Sequence, residues 1–398
     1  MRSLSTRAST LLMAITAALL AGCTAMPVAP PAPPRFLHDL HFGPADGIQD
    51  RADIFGLSPA MRAYADEHLN PAALRALGSR DPRQALVAAL YQNNRLRLRY
   101  DDSVTRTAAQ AFEQRAGNCL SLVLMTAAFA KHLGLPVSYQ VLDVDETHER
   151  RGGLYLSSGH VNVVLQRQAL PPLRRGTAED ADLVVDFLPG RDVAGARVRP
   201  LDEATLTAMF HNNRAADLLA GGHTSQSYWQ ARAAVLQAPD FMPALNTLAV
   251  VYQRAGLPDA AEQAYRQVLK TEPHNVAALS NLVGTLRHQG RQADAEPLAR
   301  LLARLQPWPP FQAFDRGRLA MQTGDHQLAK RLFEQELEHQ PYQAEVHHWA
   351  AIANWHLGNR RLVAHHLGMA RDYSGTRSDQ DRYSAKLQSL RTLAHGSR

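Results

Sequence analysis

Glycine recurs at Gly222, Gly256, Gly290, Gly324 and Gly358, a strict 34-residue interval, and Pro239, Pro273, Pro307 and Pro341 keep the same interval. A unit of this length cannot bury its apolar face alone, so its copies must stack on one another into a solenoid. Apolar residues fall at helical spacing on both sides of each glycine: Leu245, Leu248, Ala249 and Tyr252 precede Gly256, and Ala261 and Tyr265 follow it. Glycine serves a turn inside the unit, and proline closes the second helix because it cannot continue it. The period predicts stacked helix pairs from about residue 206 to the C-terminus. A final helix over about Ser378–Leu393 would cap the stack with a polar outer face.

This pattern resembles the tetratricopeptide repeat. The best copy spans about Met242–Asn275. The second keeps Leu279, Leu282, Ala295 and Pro307, and the third keeps Gly317, Ala320, Ala329, Phe333 and Pro341. Degenerate copies over His211–Phe241 and Tyr342–Tyr373 bring the expected number to about five. The resemblance implies a protein or peptide partner held in the repeat groove, because such solenoids present concave surfaces to extended peptides or helices.

The first half reads differently. Ser58-Pro59 and Asp81-Pro82 open helical segments with proline in the first turn, and Thr105–Gln114 reads as a further short helix. From Val137 the pattern alternates like a half-buried strand, and the segments around His160 and Asp186 are short and β-branched. The polar stretches Asp143–Gly153 and Arg174–Ala181 read as loops. Helices followed by an antiparallel sheet make residues 51–205 an α+β unit, and 206–398 the all-α superhelix.

Cysteine usage and the N-terminus belong together. Arg2 and Arg7 precede an apolar core, Leu11–Leu20, that is too short to span a bilayer. The run Leu20-Ala21-Gly22-Cys23 resembles the lipobox of bacterial lipoproteins, which implies a signal peptide over 1–22 and a membrane anchor acylated at Cys23. Thr24, where an aspartate would signal inner-membrane retention, implies the outer membrane, with the body facing the periplasm. Residues 23–50 form a proline-rich linker, extended and semi-rigid over Pro27–Pro34. With Cys23 lipidated, Cys119 has no partner cysteine in an exported chain, where unpaired thiols are exposed to oxidation.

Cys119 follows a Gly117-Asn118 pair expected to turn, and it leads an apolar helical run to about Leu133. A helix N-terminus favours the anionic form of a thiol there. His160 lies in a strand-like segment (Gly159-His160-Val161-Asn162-Val163) and Asp186 in another (Val184-Val185-Asp186-Phe187). Cys, His and Asp suit a nucleophile, its base and the group that orients the base. With Ala116-Gly117-Asn118-Cys119-Leu120-Ser121, these motifs resemble the papain-related transglutaminase-like superfamily over residues 96–190. The resemblance implies Cys119 as nucleophile, His160 as base and acid, and Asp186 as orienter. Asn118 and Gln114 are the side-chain candidates for stabilising an oxyanion, beside the Cys119 backbone N–H. The activity implied is thiol-dependent acyl transfer: protease, amidase or cross-linking enzyme. The competing expectation is a catalytically inactive fold serving as an interaction scaffold.

Other chemistries find little support. The net charge is +6, arginines alternate with acids, and no aromatic–basic motif points to nucleic acid. No glycine-rich phosphate loop is present, and no cofactor is expected. Twelve of the eighteen histidines fall in the repeats, among them His347, His348, His365 and His366, but no cysteine or tight acidic cluster joins them, so no metal is expected. Asp143, Asp145, Glu146 and Glu149 have the wrong spacing for calcium and read as a solvated hairpin tip.

Overall fold

A computed structural model of the chain describes residues 36–70, 72–73, 81–92, 96–151, 154–167, 181–187 and 197–395. The signal segment, Cys23 and the prolines of 27–34 lie outside the described residues, as does most of the predicted loop at 174–181. Among the described residues no helix is long and apolar enough to cross a membrane.

The first half is a mixed α and β region. Its helices are α1 (Arg51–Phe55), α2 (Pro59–His68), α3 (Pro82–Val87, continued by a π turn over Ala88–Gln92), α4 (Ala108–Gln114) and α5 (Cys119–His132). Ser58, Asp81 and Thr107 cap α2, α3 and α4 by accepting backbone N–H groups. A short parallel pair, β1 (Arg99–Tyr100) with β2 (Ala116–Gly117), precedes an antiparallel sheet. That sheet comprises β3 (Val137–Arg151), β4 (Leu154–Leu165), β5 (Leu183–Val185) and β6 (Arg197–Leu201), in the order β5-β4-β3-β6. The predicted loop at Asp143–Gly153 is instead an extension of the hairpin: β3 runs to Arg151, and β4 resumes at Leu154 after a register shift between Leu142 and Thr147.

Helix α5 is apolar almost all round, and eleven of its fourteen residues are buried. A helix without a polar face must lie inside the core. It packs on β4, α4 and α1 in one cluster with Met61, Leu86, Leu90, Val161, Val163 and Leu165.

The second half is an array of helix pairs: α6 (Glu203–Ala220) with α7 (Thr224–Gln237), α8 (Met242–Arg254) with α9 (Pro258–Thr271), α10 (Val276–His288) with α11 (Gln292–Leu305), α12 (Gln312–Gln322) with α13 (His326–His339), and α14 (Ala344–His356) with α15 (Arg360–Asp372). The final helix, α16 (Arg377–His395), packs on α15. The phased glycines end the first helix of each pair at φ of 75–81°, a conformation that glycine enters at no steric cost. No residue near Phe311 offers a side-chain cap to α12, and buried Glu336 of α13 supplies one, accepting from Phe311 N at 2.7 Å and Phe314 N at 3.2 Å.

The two halves share a core. Leu206, Met209 and Phe210 of α6 belong to the same cluster as α5, and each contributes about 2 kcal/mol by burial. Glu203 at the start of α6 pairs with both Arg51 and Lys131. Residues 38–50, expected as linker, run along α7: Phe42 stacks on Tyr228 at 3.8 Å, Asp39 accepts from Tyr228 and Arg232, and Trp229 donates to the Gly43 carbonyl.

Candidate functional site

Cys119 occupies the first position of α5. The turn ahead of it is made by Arg115, which adopts φ of +51°, and not by the expected Gly117-Asn118 pair. Gly117 is extended in β2 and is glycine for space, since a Cβ there would lie 2.7 Å from Ser121 Cβ. Asn118 is the cap of α5, its Oδ1 accepting from Ser121 N at 2.9 Å and Ser121 Oγ at 2.8 Å.

His160 and Asp186 arrive from the sheet. β4 pairs with β5 in the register Val163 to Val185. Continuing by one residue sets Asp186 opposite Asn162, on the face that also carries His160, two residues away along β4. The result is a contact of 2.6 Å between His160 Nε2 and Asp186 Oδ1. His160 is buried, while Asp186 keeps a quarter of its side-chain surface. The Cys119 side chain lies close enough to the same ring to act on its charge. With Nε2 engaged by the carboxylate, Nδ1 is the nitrogen left for sulfur. Burial alone would lower the imidazolium pKa, but hydrogen bonds and charge interactions with Asp186 and Cys119 outweigh it and lift the value from 6.5 to about 9.

Of the three residues chosen from the sequence, His160 and Asp186 are in contact, and Cys119 acts on the charge of the same ring. Of the two side-chain oxyanion candidates, Asn118 donates through Nδ2 to Thr105 Oγ1 at 2.9 Å while its oxygen caps the helix, and Gln114 accepts through Oε1 from Arg106 Nε at 2.7 Å. Helix geometry also leaves the N–H groups of Cys119 and Leu120 without an intrahelical acceptor. Both residues line the groove described next.

Sequence reasoning missed the support for the α5 N-terminus. Thr105 holds Asn118, its own N–H donates to Asp217 of α6 at 2.8 Å, and Arg106 N donates to Ser121 Oγ at 2.8 Å. Asp217 lies 112 residues from Thr105, and no local pattern signals such a pair. Beside the thiol opens a groove of about 1280 Å³. Its lining includes Tyr100, Asp102 and Thr105 from the first half and Asn212, Phe241, Asn246 and His274 from the repeats.

The histidines of the last repeats form no comparable centre. His347 Nδ1 lies 3.1 Å from His366 Nδ1 while its Nε2 reaches the Pro341 carbonyl, a hydrogen-bonded pair between α14 and α15. Among the described residues no three metal-ligating side chains gather.

Residues 246–307 and 314–359 match the tetratricopeptide repeat family model. The C-terminal half is thus a tetratricopeptide repeat region, a class of structure that binds protein or peptide partners. Among solved structures, the chain is similar to TTC0263, a tetratricopeptide repeat protein of Thermus thermophilus, at 16% identity over 46% of this chain and 99% of that one, with a TM-score of 0.29. It is also similar to pilF of Pseudomonas aeruginosa, at 20% identity over 49% and 95%, with a TM-score of 0.27. A third is YrrB, described as a TPR protein with an unusual peptide-binding site, at 17% identity over 45% and 92%, with a TM-score of 0.25. No curated protein matches the chain in sequence.

Proposed function

We propose that the chain is a cell-envelope lipoprotein, anchored at Cys23, whose α+β half is a transglutaminase-like thiol enzyme and whose repeats recruit a protein or peptide. The observation that supports it is the His160–Asp186 contact, with Cys119 acting on the same ring and lining a groove shared with the repeats. In the reaction, Cys119 sulfur attacks the carbonyl carbon of an amide or peptide bond. The C–N bond breaks, His160 gives its proton to the leaving amine, and a thioester remains on Cys119. Water or a second amine, deprotonated by His160, then displaces the sulfur to give an acid or a new amide. The N–H groups of Cys119 and Leu120 face the developing oxyanion. Asp186 stabilises the imidazolium and keeps Nδ1 directed at the sulfur.

The test is the pH dependence of Cys119 alkylation by iodoacetamide. A charged His160 beside the sulfur keeps alkylation fast below pH 6.5, the ordinary value of the imidazole. His160→Ala should slow it there by roughly tenfold or more. An unreactive Cys119, or a profile untouched by His160→Ala, would leave the half as an interaction scaffold.

A further inference from the structure

Each repeat up to the fourth is closed by a proline, the last of them Pro341, and the next position in the 34-residue phase is Gly375. The phased glycines inside the helix pairs have open space where a Cβ would stand, and they are glycine because their φ is positive. Gly375 is the opposite case. Its φ is not positive, but a Cβ built on it would fall on the carboxylate of Asp102. The Asp102 N–H also donates to the Gly375 carbonyl at 3.2 Å. The corner is held from behind: buried Ser374 donates through Oγ to the Ala370 carbonyl, and its own carbonyl accepts from Gln380.

Asp102 sits on the rim of the thiol groove. It shares the segment between β1 and α4 with Thr105, which holds Asn118 next to Cys119. The groove is also lined by the corners between successive repeats, around Pro239, Pro273 and Leu305. The repeat array thus touches this groove-lining segment a second time, at Gly375.

We propose that the Ser374–Gly375 corner and Asp102 form a clasp that closes the repeat array over the groove, so that polypeptide reaches Cys119 as an extended segment or after the clasp opens. This rests on the reading of Cys119 as the group that the groove serves. The hydrogen bond between the two backbones joins neutral groups, a strength at which open and closed forms can exchange. Small molecules pass in either form, and bulky ones pass only in the open form.

The experiment compares labelling of Cys119 by a polymer-linked maleimide and by N-ethylmaleimide, read on the Cys119 peptide by mass spectrometry. At alkaline pH any accessible thiol reacts, so the ratio of the two rates reports access and not activation. Gly375→Leu forces the corner off Asp102. It should raise the ratio roughly tenfold, leave the small reagent unchanged, and strip hydrogen-exchange protection from the Asp102 amide. Gly375→Ala is the milder opener should leucine lower the helical signal of the last pair. Asp102→Gly combined with Gly375→Ala moves the missing side chain to the other partner and should restore both ratio and protection. An Asp102 amide that loses protection with no change in ratio would show that the contact gates nothing. Retained protection in Gly375→Leu would show that the corner forms no clasp. His160→Ala should alter reactivity at acid pH without moving the ratio, so failure of the enzyme reading is distinguishable from failure of the clasp.

Discussion

His160 Nε2 meets Asp186 Oδ1 at 2.6 Å across two strands of one sheet, and against the lowering effect of burial this contact, together with Cys119, raises the imidazolium pKa from 6.5 to about 9. A lift of this size corresponds to roughly 3–3.5 kcal/mol of preference for the charged ring. A raised folded-state value makes the contribution complete below the unfolded value of 6.5, and it is lost as pH climbs through about 9. Asp186→Asn should therefore destabilise the protein most at mildly acidic pH and progressively less towards the alkaline end. Urea denaturation at several pH values checks this, and a pH-independent loss would contradict it.

Glu336 reaches across its helix pair to cap α12, with Phe311 N and Phe314 N both pointing at its carboxylate. Glu336→Ala leaves two buried donors unpaired, at about 1–3 kcal/mol each. Glu336→Gln keeps one accepting oxygen and should cost less. Thermal melts followed by circular dichroism should rank wild type above Gln above Ala, and equal midpoints would remove the capping role.

The run Leu20-Ala21-Gly22-Cys23 makes the anchor a separate prediction. Cys23→Ser should move the protein from the detergent-extracted membrane fraction to the soluble fraction, because stable attachment needs the acyl chains. Membrane partitioning unchanged in that variant would rule out lipidation at Cys23.

The repeat half was legible because its information is local and periodic. Glycine at a positive-φ turn and apolar spacing within each helix are written inside one repeat, so Gly256 and Tyr252 can be read without knowing the fold. The start of α5 was half legible. The helix from Cys119 was visible in the apolar run, but the turn fell at Arg115, a residue type with no preference for left-handed backbone. Asn118 stood out as a polar neighbour of Cys119, but its bond to Thr105, unlike its cap on Ser121, depends on a segment that no local pattern links to it.

Spacing and residue type alone determined the 34-residue solenoid, the α+β character of the first half, and Cys119, His160 and Asp186 as a set worth testing. Tertiary structure decided how the halves join. Leu206, Met209 and Phe210 carry an ordinary helical pattern, yet they complete the core around α5, and the segment at 38–50 packs along α7. Gly375 reads as a broken period until Asp102 is found against it. Packing between distant segments depends on shape and on which groups lack a partner, and neither is encoded in a residue's near neighbours.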